Sequence, residues 1–365
     1  MNTPDHLLPS DIVLPAAVDA LPALDPQRLG SMAQQAEAAL LRQGESENTL
    51  RSYRSALRYW AAWFALRYRQ PIALPVAAAT VVQFIVDHGQ RRDADGGLVS
   101  ELPAALDQAL VEHGYKAKLG PLSLNTVVHR VSVLSKAHQV QDAENPCAQP
   151  RVRDLLAKTR RGYAKRGDLP AKKPALTREP LEALLETCDS SLAGLRDRAL
   201  LLFAFSSGGR RRSEVTAATM ENTRREGELF VFTLAMSKTN QSGVERAEND
   251  KPIAGRAAHA LVGWLAASKI RSGPIFRRVR RGGAIGEPLS PAAVRDIVKK
   301  RCQLAGLSSE FSAHSLRSGF VTEAGRRGVP LGETMAMTGH RSTASLVGYF
   351  RAGHGDSLAA KLLDE

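Results

Sequence analysis

Between Phe311 and Phe350 the chain holds His314 and Arg317 in an H-x-x-R, then Gly339-His340, then Tyr349 nine residues beyond that histidine. These residue types suit chemistry at a phosphate. An arginine is a permanent cation whose planar fork matches two phosphate oxygens at once. A pair of them around one phosphoryl group stabilises the extra charge of a pentavalent transition state. A tyrosine, with a free pKa of about 10, is a weak nucleophile. Cations beside it ease formation of the phenolate, and a histidine can take the proton. The departing alkoxide then needs a proton, which a lysine on a mobile turn would supply. The arginines take the part a metal plays elsewhere, and no Asp/Glu cluster with metal-site spacing lies near the set. Neither a metal nor a cofactor is therefore expected. Singly these signals are weak in a chain with 50 Lys+Arg; their order and spacing carry the information.

The elements that would position this set lie upstream. Leu195–Phe205 is an apolar run too long for a strand and reads as a buried helix. It stops at Ser206-Ser207-Gly208-Gly209 and is followed by Arg210, Arg211, Arg212, Ser213 and Glu214. Leu229–Leu234 alternates β-favouring residues and reads as a strand. Met236–Gly243 is a polar turn carrying Lys238, and strands near Val244–Glu248 and Pro252–Ile253 would complete a small antiparallel sheet. Arg277–Arg281 with Gly282-Gly283 reads as a basic loop that includes Arg278. Ser290 and Pro291 start a helix to about Ala305, with Arg295, Lys299, Lys300 and Arg301 outward. Ser357–Leu363 reads as a short apolar terminal helix.

The first 150 residues read as helical, with no strand pattern. Residues 1–30, rich in Pro, Ala and Asp, read as a flexible arm. Ser46 caps a helix to Tyr68 whose expected apolar stripe is Leu50, Tyr53, Leu57, Trp60 and Phe64, with Arg51, Arg54 and Arg58 on another face. Ser123 caps a helix with Arg130 and Lys136 outward. Arg151–Lys173 is strongly basic. A short helix, Val152–Thr159, is expected before an extended basic stretch that includes Arg160 and Arg161. The expected organisation is an arm (1–30), a helical lobe (31–165), a basic linker (166–173) and a second lobe (174–365).

A formal net charge of +13 on 365 residues, dispersed and not gathered in a tail, points to a polyanion, most simply nucleic acid. Cys147, Cys188 and Cys302 are widely spaced with no C-x-x-C, which argues against a disulfide framework or zinc site and fits a reducing cytosol. No signal peptide and no membrane span is evident.

These motifs together resemble the tyrosine recombinase/integrase family of site-specific DNA recombinases, notably its Cre-like branch. The resemblance is carried by Gly209–Val215, Ala313–Gly319, Thr338-Gly339-His340, the position of Tyr349, Ser46–Phe64, and Lys238-Thr239 with Gly243–Ala247. It implies a mainly α fold, with an all-helical, SAM-like core-binding domain and a mostly helical catalytic domain carrying a small antiparallel sheet. The two would close on DNA as a C-shaped clamp. It implies that Tyr349 attacks the scissile phosphodiester to give a 3′-phosphotyrosyl link. Arg211 and Arg317 would bind the non-bridging oxygens, Lys238 would protonate the 5′ oxygen, His314 would move a proton near Tyr349, and His340 would bond the phosphate. Glu214 would orient the histidine and arginine. Among three adjacent arginines, the R-x-S-E register selects Arg211 and puts Arg212 where the family usually has an aliphatic residue.

The implied partner is double-stranded DNA, as paired recombination sites with inverted-repeat arms, bound through residues such as Arg51, Arg54, Arg58, Arg130, Lys136, Arg160, Arg161, Arg277, Arg278, Arg295 and Lys299. The implied assembly is a dimer on one site and a tetramer in synapsis, with the terminal helix docking on a neighbour. An accessory DNA-bending or regulatory protein is left open, no membrane is involved, and the expected place is the cytoplasm at the bacterial nucleoid. Two rival readings share these residues: a type IB topoisomerase-like nicking-closing enzyme, and a non-catalytic DNA-binding protein with this fold.

Overall fold

The computed structural model describes residues 46–168, 174–234 and 249–340, together with Ser342, Thr343 and Leu346. The expected arm, Lys238, the expected strand Val244–Glu248, Tyr349 and the expected helix Ser357–Leu363 lie outside them. The described chain is mostly helical with small antiparallel sheets. It divides into two compact units, residues 1–170 and 171–365.

In the first unit the helices are α1 (Glu47–Tyr68), α2 (Ala78–His88), α3 (Ala104–Glu112), α4 (Leu124–Val140) and α5 (Pro150–Lys165). Ser46 and Ser123 act as N-caps, their hydroxyls accepting from the N–H groups of Thr49 and Thr126. The buried stripe of α1 is Ala56, Tyr59, Trp60, Trp63 and Phe64, so Leu57, expected inside, stands outside. Aromatic area decides this: Trp60 stacks on Phe84 at 3.8 Å between ring centroids and Trp63 meets the same ring edge-on at 5.1 Å. Two further expectations are corrected. A two-residue ribbon, β1 (Arg91–Arg92) with β2 (Leu98–Val99), interrupts the helices around the Asp93–Gly97 turn. And α5 continues past Thr159 to Lys165, so Arg160 and Arg161 sit on a helix and not in an extended stretch. Tyr163 anchors that extension: it is buried and its hydroxyl accepts from the Gln90 N–H at 2.7 Å.

The second unit contains α6 (Arg178–Glu186), α7 (Leu192–Ser206), α8 (Arg212–Thr216), β3 (Thr223–Glu226), β4 (Leu229–Thr233), β5 (Asp250–Ile253), α9 (Arg256–Ser268), β6 (Arg277–Val279), β7 (Ile285–Pro288), α10 (Pro291–Leu304), α11 (Ala313–Arg326) and α12 (Leu331–Thr338). The apolar run becomes α7 and forms the middle of the core, with Leu200, Leu201 and Phe203 packed against Leu261 and Trp264 of α9. Phe203 also meets Phe232 and Phe276, at 5.2 and 5.3 Å. β3, β4 and β5 form one antiparallel sheet in that order. The expected basic loop after Phe276 is instead the β6–β7 hairpin, because Val279 and Ile285 pair across it and pack on the core. Arg301, expected outward, is buried: its Nε and Nη2 donate to Asp197 of α7 at 2.9 and 2.7 Å, and the carboxylate compensates its charge.

Candidate active site

The site begins where α7 runs into Gly208 and Gly209. Both have positive φ, 97° and 66°. A Cβ on Gly208 would lie 2.2 Å from the Met337 carbonyl oxygen, and one on Gly209 would lie 2.4 Å from Arg317 Cα. The turn therefore passes directly against α11 and α12, and only glycine can follow that path.

The turn sends three adjacent arginines to three environments. Arg210 is buried, with Nη1 3.5 Å from Glu214 and Nη2 donating to Met337 O at 2.5 Å. Arg211 is half-buried; its N–H and its Nη1 donate to the two oxygens of Glu214, at 3.0 and 2.5 Å. Arg212, the first residue of α8, is exposed. Burial of Glu214 would raise its pKa, but Arg210 and Arg211 outweigh this and hold it below the ordinary value, so it is an anion shared between two cations.

Arg317 enters from α11, where it lies buried and donates to Gly209 O at 3.3 Å and Thr338 O at 2.6 Å. His340 follows Gly339, the left-handed C-cap of α12. Its ring lies 3.4 Å from Arg317 Nη2, and its Nδ1 is 2.7 Å from Thr338 Oγ1. The Thr338 hydroxyl donates to Thr334 O at 2.7 Å. It therefore accepts from His340 Nδ1–H, which leaves the lone pair on Nε2. Burial, and then the charges of Arg317, Arg211, Arg210 and His314, pull the His340 pKa down to about 4, so the ring is neutral at pH 7. His314 is exposed in the first turn of α11, one turn before Arg317. Five of the expected residues, Arg211, Glu214, His314, Arg317 and His340, thus come together from the turn after α7, from α8 and α11, and from the end of α12. Arg210 joins them unexpectedly. Lys238 and Tyr349 lie outside the described residues.

What remains chemically is a concentration of fixed cations around one neutral imidazole, with Arg211 half open. Such a place attracts a phosphate and stabilises added negative charge on it. Residues 174–354 match the sequence model of the phage integrase family. The chain belongs to the tyrosine recombinase/integrase family. It is 28% identical over 321 residues to the integrase/recombinase xerD homolog of Selenomonas ruminantium, covering 86% of this chain and 84% of that protein. Two solved structures share the fold. The Tn1549 transposon integrase in complex with transposon right end DNA is 13% identical with a TM-score of 0.56, covering 90% of this chain and 96% of the other. A lambda integrase dimer bound to a COC′ core site is 16% identical with a TM-score of 0.52, covering 89% and 96%.

The cations expected to meet DNA in this recombinase lie on several elements. Arg51, Arg54 and Arg58 are exposed on α1, Lys136 on α4, Arg160 and Arg161 on α5, Arg278 on β6, and Arg295 and Lys299 on α10. Arg277 is half-buried, and its Nε has no hydrogen-bond partner among the described residues. Arg130 departs from the expected outward position: its guanidinium stacks over the Tyr59 ring at 3.3 Å. With Arg51 it lines an open groove of about 400 Å³ between α1 and α4, together with Asn48, Ser52, Ser55, Thr126 and His129. Sequence reasoning missed that polar lining, because Asn, Ser and His on a helix read as ordinary surface. It also missed Arg210, and Lys251 of β5, which is buried and donates to Ala336 O at 2.6 Å. Among the described residues, no group of three His, Cys, Asp or Glu side chains is placed to hold a metal ion, and no helix is long and apolar enough to cross a membrane.

Proposed function

We propose that this protein is a site-specific DNA recombinase that breaks and rejoins DNA through a 3′-phosphotyrosyl intermediate. The observation that carries the reading is the meeting of Arg211 and Arg317, from separate elements, around the neutral imidazole of His340. The scissile phosphate lies there, its non-bridging oxygens held by Arg211 and Arg317. The Tyr349 oxygen attacks phosphorus, the bond from phosphorus to the 5′ oxygen breaks, and Lys238 protonates that oxygen. His314 takes the tyrosine proton. The phosphate charge offsets the arginines around His340, so the ring gains a proton and its Nε2–H donates to the phosphate. A 5′-hydroxyl from a partner strand reverses these steps and conserves the bond energy.

Residues 31–165 act as a core-binding domain of SAM-like type, 166–173 as a linker and 174–365 as the catalytic domain, closing on the duplex as a C-shaped clamp. The groove lined by Arg51 and Arg130 takes the DNA backbone. Two chains bind one site with inverted-repeat arms, and four form the synapse, in the cytoplasm at the nucleoid. The test is to map covalent protein–DNA junctions on DNA flanking the gene, with nicked or half-site substrates to trap them. The expected result is a 3′ link to Tyr349, absent in Tyr349→Phe, and joined products from two duplexes. Adducts that persist in Tyr349→Phe would overturn the nucleophile. Relaxation of supercoils by single chains, without exchange or sequence requirement, would favour a nicking-closing enzyme instead.

A further inference from the structure

The last turn of α12 ends with three successive carbonyls on buried cations from three other elements. Ala336 O accepts from Lys251 of β5 at 2.6 Å, Met337 O from Arg210 at 2.5 Å, and Thr338 O from Arg317 at 2.6 Å. Lys251 is 2% exposed, Arg210 1% and Arg317 4%. A helix C-terminus carries about half a negative charge and favours cations, though only weakly at a surface. Burying a cation costs several times more, and an apolar side chain of similar volume often does as well or better in stability. Glu214 meets part of the charge of Arg210, yet among the described residues the Arg210 Nε has no hydrogen-bond partner. Core stability alone therefore does not account for this arrangement.

The turn so capped leads directly into the site. The Gly339 N–H donates to Met335 O at 2.7 Å in the left-handed conformation, and His340 bonds back to Thr338 Oγ1 on the same turn. Any slip of this turn moves the His340 ring relative to Arg317. We propose that Arg210 and Lys251 are positioning residues of the phosphate site, which fix the last turn of α12 through Met337 O and Ala336 O and so hold His340 in one tautomer and orientation. Neither touches the substrate; both act through His340. This rests on the reading of His340 as part of the phosphate site, but the assay below follows the ring without DNA, so the two can fail separately.

Among the described residues, the charged and titratable groups that face the ring are Arg317 and His314 from α11, and Arg211 and Arg210 from the turn after α7. The experiment is a pH series of ring-nitrogen NMR spectra on the full ¹⁵N-labelled chain, with the His340 signals assigned by their loss in His340→Gln. The unsubstituted chain should show one tautomer, neutral down to about pH 4. Arg210→Met and Lys251→Met should show averaged shifts of two tautomers. Arg210→Met should also raise the His340 midpoint by about half a pH unit or more, since a nearby positive charge is gone. Arg210→Gln and Lys251→Gln keep an uncharged donor for the same carbonyls and should retain the single tautomer, with the midpoint raised only in Arg210→Gln. On a mapped DNA site, covalent joining should fall about 10²-fold in the two Met variants at unchanged DNA affinity. An unaltered tautomer and midpoint in the Met variants, whatever the change in Tm, would reduce both cations to core filling. Should those variants not fold, an unmoved midpoint in Arg210→Gln overturns the proposal.

Discussion

Arg317 donates to Gly209 O and Thr338 O, so its guanidinium is oriented by the fold before any phosphate arrives. A lysine there would offer one point charge and no fork. Arg317→Lys should lower covalent joining by at least about 10²-fold while DNA affinity changes only a few-fold, measured by adduct formation beside a binding titration. Glu214 lies between Arg210 and Arg211 in a buried place. Glu214→Gln leaves two cations with less compensation and should cost about 3–5 kcal/mol of stability, measured by chemical denaturation. The residue scale also sets a pH dependence. Burial pulls the His88 pKa down to about 4, where the ring bonds Phe84 O and the Tyr59 hydroxyl, and His340 is lowered to the same region. In the unfolded chain both titrate near the ordinary histidine value of 6.5. Between those values the unfolded state binds more protons, so stability present above pH 6.5 should be lost progressively toward pH 4. Thermal melts across that range check it, and His88→Gln should remove the share that belongs to the first unit.

At the scale of elements, close backbone approach holds the second unit in register. Gly209 lies against Arg317 Cα, and a Cβ on Gly319 of α11 would fall 1.8 Å from Leu176 O. Gly209→Ala should cost about 1–2 kcal/mol for the left-handed backbone alone. Because it also pushes α11 from the turn, covalent joining should fall by more than the loss of stability explains, as a comparison of both at a temperature where the variant is folded would reveal. The elements themselves were unevenly legible. The caps at Ser46 and Ser123, the α7 core run and the Ser290-Pro291 start of α10 could be read because each depends on residues within one or two turns. β3, with sequence Thr-Arg-Arg-Glu, has no apolar alternation and exists because β4 pairs with it. The β6–β7 hairpin was hidden in the same way under a run of arginines.

For the whole molecule, the dispersed +13 charge suits a polyanion partner. DNA affinity should fall steeply and linearly in log salt, with a slope near −0.9 for each phosphate neutralised; a flat response would refute the exposed arginine faces as phosphate contacts. DNA binding should also take up a proton. His340 titrates near 4 in the free chain, and an adjacent phosphate raises that value. By linkage, affinity should increase as pH falls from the ring's value in the complex toward about 4, and His340→Gln should abolish that component.

The family, and the set of residues that the fold brings together, were readable from the linear order. Arg211, Glu214, His314, Arg317 and His340 keep a spacing set by single helical turns and by the turn that must join them, and such local relations survive in sequence. The fate of each cation was not readable. Arg210, Arg211 and Arg212 are adjacent and chemically identical, yet one is buried, one half-open and one exposed. Arg301 and Arg130 read as outward and Lys251 was not singled out, yet they are held inside or against a ring by Asp197, Tyr59 and the Ala336 carbonyl. Whether a cation is solvated or enclosed depends on which distant carboxylate, carbonyl or aromatic face the fold brings to it. Those partners lie tens to more than a hundred residues away, so only the tertiary structure could decide it.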